Sequence, residues 1–82
     1  MDKSLDDDTK DLILKIVDTH SEIKNIDVFY TVPVGYQYVA FLTICVDGTM
    51  STFASHALAD TLEKEINSLE KIYSTTIHVN PV

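Results

Sequence analysis

Arginine and tryptophan are absent from this chain, and cysteine, glycine and proline are scarce, at one, two and two residues. Without arginine there is no planar, two-pronged clamp for phosphates or carboxylates. Six lysines against thirteen aspartates and glutamates leave a formal charge of −7. That balance sets the chain against nucleic-acid backbones and anionic lipid surfaces and favours cations or basic surfaces as partners. Cys45 stands alone, so an intrachain disulfide and a Cys-x-x-Cys pair are both excluded, and a cytosolic setting is expected. No glycine-rich anion loop and no Ser-His or Cys-His pairing of a catalytic kind is found, so an enzyme is not expected. The longest apolar run, Val39 to Val46, is far shorter than the roughly 20 residues of a membrane helix, and nothing at the N-terminus reads as a signal peptide. Direct membrane insertion of this segment is therefore not expected.

What is present is enough for one domain over residues 1–82, with 45% apolar and 23% charged residues. A chain of this size buries only about 60–65% of its unfolded surface, so a partner or a bound ion would add to a thin margin of stability. Ser4 and Asp7 have capping-box spacing, and Asp6, Asp7 and Asp8 place negative charge where a helix N-terminus attracts it. Leu12, Ile13, Ile16 and Val17 then form the apolar stripe of a first helix ending near His20 or Ser21. His20 falls at that helix's C-terminus, where a partial positive charge is favoured, and reads as a cap.

Asp27 to Val32 and Val39 to Val46 read as strands, with Pro33-Val34-Gly35 as the turn between them. In the second strand, Ala40, Leu42, Ile44 and Val46 alternate with Val39, Phe41, Thr43 and Cys45, so both faces are apolar. Helices can cover one face, and a second subunit is the expected cover for the other. Asp47-Gly48 marks a turn, and Ser51 or Thr52 caps a second helix running to about Ser68, with Leu58, Leu62, Ile66 and Leu69 on its buried side. Glu63-Lys64-Glu65 reads as its solvated face. Thr75 to Asn80 forms a third strand, closed by Pro81. The order αββαβ predicts an α+β, ferredoxin-like two-layer sandwich with both helices on one face of a three-stranded sheet.

His56 lies in the first turns of the second helix and His78 on the last strand, in an acidic chain, a combination that points to a divalent cation. Asp27, Gly35, the run Ser55-His56-Ala57-Leu58-Ala59-Asp60 and the run Ile77-His78-Val79-Asn80-Pro81 together resemble the C-terminal cytosolic domain of cation diffusion facilitator transporters. The resemblance spans Ser4 to Val82. It implies a metallochaperone-like αββαβ fold, a homodimer, and a position on the cytoplasmic side of the membrane behind the transmembrane portion of the same transporter. Met1 to Leu5 looks like the sequence that follows the last membrane helix, so Met1 is expected to be a cut point in a longer protein.

The same resemblance implies Asp27, His56 and His78 as metal ligands, Asp27 standing where zinc-transporting members carry a histidine. Two positions depart from the family, Thr43 replacing a histidine and Asn80 a carboxylate, which predicts a single site in place of a two-metal cluster. Two imidazoles and one carboxylate suit zinc, manganese, iron or cobalt, with zinc or manganese favoured. Two other readings stay open: His56 paired with Asp60 at i+4, with His78 a satisfied surface residue, and a constitutive dimerisation module with a degraded metal site. A soluble metallochaperone is disfavoured because its paired cysteines are missing.

Overall fold

The computed structural model describes residues 5–82, in the order α1 (Asp7–Asp18), β1 (Ile23–Val34), β2 (Gln37–Val46), α2 (Thr52–Asn67) and β3 (Ile72–Pro81). Ser4, and the part of the Met1 to Leu5 segment before Leu5, lie outside the described residues. The sheet runs β1-β2-β3, antiparallel between β1 and β2 and parallel between β2 and β3. A parallel pair needs a crossover, and α2 supplies it. The ferredoxin-like order read from the sequence is the order observed.

Local chemistry accounts for each boundary. Asp6 caps α1, its carboxylate accepting from the Thr9 backbone N–H at 2.7 Å and from the Thr9 hydroxyl at 3.1 Å. Thr9, Ile13 and Val17, spaced by four, are buried, whereas Leu12, expected on the buried stripe, is 46% exposed. The helix ends earlier than expected, at Asp18, where the Thr19 hydroxyl donates to the Ile16 carbonyl at 2.7 Å. Ser51 caps α2 by accepting from the Ala54 N–H at 3.0 Å.

The core is one layer deep. Leu58, Leu62 and Ile66 of α2 sit on Ala40, Leu42, Ile44 and Val46 of β2, and Ile13 and Val17 of α1 and Ile72 of β3 complete the cluster. Each fully buried aliphatic side chain contributes about 1.5–3 kcal/mol, so this small set carries much of the stability. Among the described residues no helix covers the other face of β2.

The hairpin is longer than the sequence suggested. Pro33 and Val34 belong to β1, and the loop is only Gly35-Tyr36, because Val34 pairs with Gln37. Gly35 has φ +63° and no other residue has a positive φ among those described, the pattern of a type II′ turn. Pro33 is tolerated because β1 is an edge strand. Twelve residues of β1 span about 40 Å, whereas the sixteen of α2 span about 24 Å. The outer end of the hairpin therefore runs past its helical cover, leaving Val32, Val34 and Tyr36 exposed. β3 also starts early, at Ile72 instead of Thr75.

A close approach fixes the far end of β3. The Gly48 N–H donates to the Val82 carbonyl at 2.8 Å, and a Cβ on Gly48 would stand 3.0 Å from that oxygen. The β2–α2 turn is thereby tied to the strand that carries His78.

Two outcomes are expected. Leu62→Ala, at a fully buried position, should destabilise the fold by about 2–5 kcal/mol, read from urea unfolding. Thr9 backbone and side-chain hydrogen bonds hold the Asp6 carboxyl below its ordinary value of 3.8. A depressed folded value means that its contribution is present above the unfolded value and is lost as the pH falls through the folded one. Melting temperature should therefore drop as pH is lowered below about 4, and Asp6→Asn should flatten that drop.

Candidate metal centre

Burial of Leu58 against the sheet fixes how α2 is rotated, and two residues earlier His56 is left exposed. On β3, Ile77 and Val79 pack on the core, which turns the intervening His78 to the opposite face. Both histidines nevertheless border the hollow at the β3 edge. His56, His78, Met50, Ser55 and Thr52 line one open hollow of about 570 Å³ between the start of α2 and the end of β3.

Asp27 is positioned by an irregularity in the ladder. Ile26 pairs with Ile44 and Val28 with Thr43, so Asp27 is the extra residue of a β-bulge. Thr43 pairs in turn with His78, so Val28, Thr43 and His78 form one row across the helix-free face, with Asp27 beside its start. Strands lie about 4.8 Å apart, so the ends of that row are about 10 Å apart. A second, smaller hollow on this face is lined by Val28, Tyr30, Phe41, Thr43 and His78, and Tyr30 stacks on Phe41 with ring centroids 4.7 Å apart.

His78 thus borders two half-sites, one shared with His56 at the sheet edge and one on the open face with the row that begins at Asp27. Neither is complete: among the described residues no three His, Cys, Asp or Glu side chains gather at metal-binding distance. Nor are these donors committed elsewhere. Among the described residues, none of Asp27, His56 and His78 has a side-chain hydrogen bond or ion pair, and His56 does not pair with Asp60.

Neighbouring acids behave differently. Asp47, in the turn beside the edge hollow, accepts from the hydroxyl and backbone N–H of Thr49, with Lys24 at 3.9 Å, and these hold its carboxyl below the usual range. It is occupied in shaping the turn. His20 is more than a helix cap: its Nε2 and Glu65 Oε1 share a hydrogen bond of 2.6 Å that ties the end of α1 to α2. Glu65 was expected only to face solvent. Cys45 lies on the helix-free side of β2 yet is 5% exposed, with Asn25 and Asn80 as its ladder partners. The side chain that sequence reasoning passed over is Met50, because only the fold brings the β2–α2 turn beside β3.

Comparison with known proteins follows this geometry. Residues 5–82 match the family described as cation efflux protein, cytoplasmic domain. Among solved structures, the metal-bound C-terminal domain of the CzcD transporter from Thermotoga maritima is 31% identical, with 90% of this chain and 87% of that one covered and a TM-score of 0.85. The cytosolic domain of a cation diffusion facilitator family protein is 30% identical, with coverage of 92% and 90% and a TM-score of 0.83. A cadmium form of a MamM C-terminal domain variant, at 13% identity, coverage of 93% and 96% and a TM-score of 0.82, shares the fold. Among curated proteins none matches.

Asn80 follows His78 by two residues and so shares its strand face. Asn80→Asp should raise zinc affinity about tenfold by adding an anionic oxygen donor, measured by competition with a chromophoric zinc chelator.

Proposed function

The chain belongs to the cation efflux protein cytoplasmic-domain family, and from that premise we propose that it is the regulatory, metal-sensing and dimerisation domain of a divalent-cation efflux transporter. It works on the cytoplasmic side of the membrane, attached to the transmembrane portion of the same transporter, and has no enzymatic role. Among the described residues no helix is long and apolar enough to cross a membrane.

The observation that carries the reading is the split site. Among the described residues, Asp27, His56 and His78 have no side-chain partner yet do not form one three-ligand group. A second copy supplies what each half-site lacks: one cation is held by His78 together with Asp27 and His56 contributed by different protomers. The helix-free face fits this arrangement, since Val28, Tyr30 and Val32 are large apolar residues left exposed on one side of β1, a face of the kind that a partner covers. Zinc or manganese is the favoured ion, with iron or cobalt also compatible with two imidazoles and a carboxylate. The metal-bound state of the related CzcD domain supports metal binding by a domain of this fold.

Regulation then follows from charge. Each copy carries −7, so two copies repel; a divalent cation between them neutralises carboxylate charge and bridges the pair, shifting the population to a closed form. A coupling of about 1–3 kcal/mol is enough for a regulatory effect. The second reading, a constitutive dimerisation module with a degraded site, draws on Thr43 and Asn80, which are weak donors where the family has strong ones.

Calorimetric titration of metal-stripped protein with zinc and manganese, alongside small-angle scattering, separates the two. Saturable binding with compaction, both lost in the His56→Ala, His78→Ala double variant, is the expected result. Equal, nonspecific heats and an unchanged scattering profile in both proteins would establish the metal-free module instead.

A further inference from the structure

The edge hollow has a donor set of its own. Its lining includes His56, His78, Met50, Thr52 and Ser55, residues that carry two imidazoles, a thioether and two hydroxyls, and among the described residues it includes no carboxylate and no lysine. Oxygen-preferring cations such as manganese or magnesium select carboxylates and water, whereas a thioether selects copper(I) and similar soft ions, and imidazole suits copper as well as zinc. Met50 is held in place: its N–H donates to the Asp47 carbonyl at 3.0 Å, and its side chain packs partly on the core, at the turn that Gly48 ties to Val82. The hollow is therefore walled by a fixed turn, the start of a capped helix and the end of a strand. Among the described residues no lysine lines it, so none of them sets a positive side chain against a bound cation.

We infer that the Met50–His56–His78 hollow is a soft-cation site that takes copper(I), or silver(I) as its analogue, within a single protomer. This inference rests on the reading that His56 and His78 ligate metal, and adds that Met50 is the third donor for a soft ion. A soft ion then needs nothing from the second copy, whereas a divalent cation needs Asp27 and His56 from different protomers. Copper(I) occupies His56 and His78 without drawing two copies together and competes with zinc for them. The domain's response thus depends on the class of cation and not merely on total metal.

The test titrates metal-stripped wild type, Met50→Leu and the His56→Ala, His78→Ala variant with copper(I) under a reductant against a copper(I) chelator, and separately with zinc. Leucine conserves the volume that Met50 fills, so the fold persists. The expected result is a loss of at least about tenfold in copper(I) affinity for Met50→Leu with zinc affinity unchanged, and no compaction of copper(I)-loaded wild type by scattering. Wild-type copper(I) affinity in Met50→Leu, with loss in the histidine variant, would overturn the role of Met50 and leave the histidine reading standing. Unchanged copper(I) and zinc affinity in the histidine variant would overturn both.

Discussion

The positions of the two candidate histidine donors depend on how α2 is seated on β2. Leu58, Leu62 and Ile66 lock onto Ala40, Leu42, Ile44 and Val46, and that contact closes the parallel β2–β3 crossover. Its rotation leaves His56 at the sheet edge, and the parallel register places His78 opposite Thr43. A slip of one residue in β3 would move His78 to the core face, where an unpaired imidazole is costly. Packing in the core thus decides which donors can face a cation.

The second constraint is thinness. One helical layer covers one face of the sheet, and the hairpin outruns the helices, so exposed aromatic and β-branched side chains remain on the other side and at the tip, Tyr36 being 74% exposed. On the proposed function, such a surface next to donors that do not complete a site alone would tie metal binding and association into one equilibrium. In that proposal the charge of −7 on each copy is the opposing term.

Much of the fold was legible because the patterns were local. The four-residue spacing of Leu58, Leu62 and Ile66, the Ser51 cap and the alternation along β2 each announce their structure without tertiary information. The errors have physical causes. Leu12 looked like part of a buried stripe, but α1 docks through Thr9, Ile13 and Val17, and the hydroxyl of Thr9 is satisfied by Asp6. Pro33 looked like a turn residue because an edge strand has no need of its N–H. Lys24 and Asn25 hid the start of β1, where a register shift falls between Ile23 and Asn25. For the site, residue types and order pointed to Asp27, His56 and His78, but the bulge at Asp27 and the nearness of Met50 arise from strand register and chain return, which a linear pattern does not encode. Glu65 was likewise read as solvated because its partner, His20, lies far away in sequence.

The central claim is that each divalent cation is held between two copies, with two such sites in a symmetric pair, and mixing complementary variants tests it most directly. Asp27→Ala and His56→Ala should each bind zinc poorly alone; an equimolar mixture should regain saturable binding with about half the wild-type stoichiometry per dimer that contains both chains, because one intact site can form across the pair. A mixture that binds no better than its components would contradict the account, since it would place Asp27 and His56 on the same protomer's ion or on none.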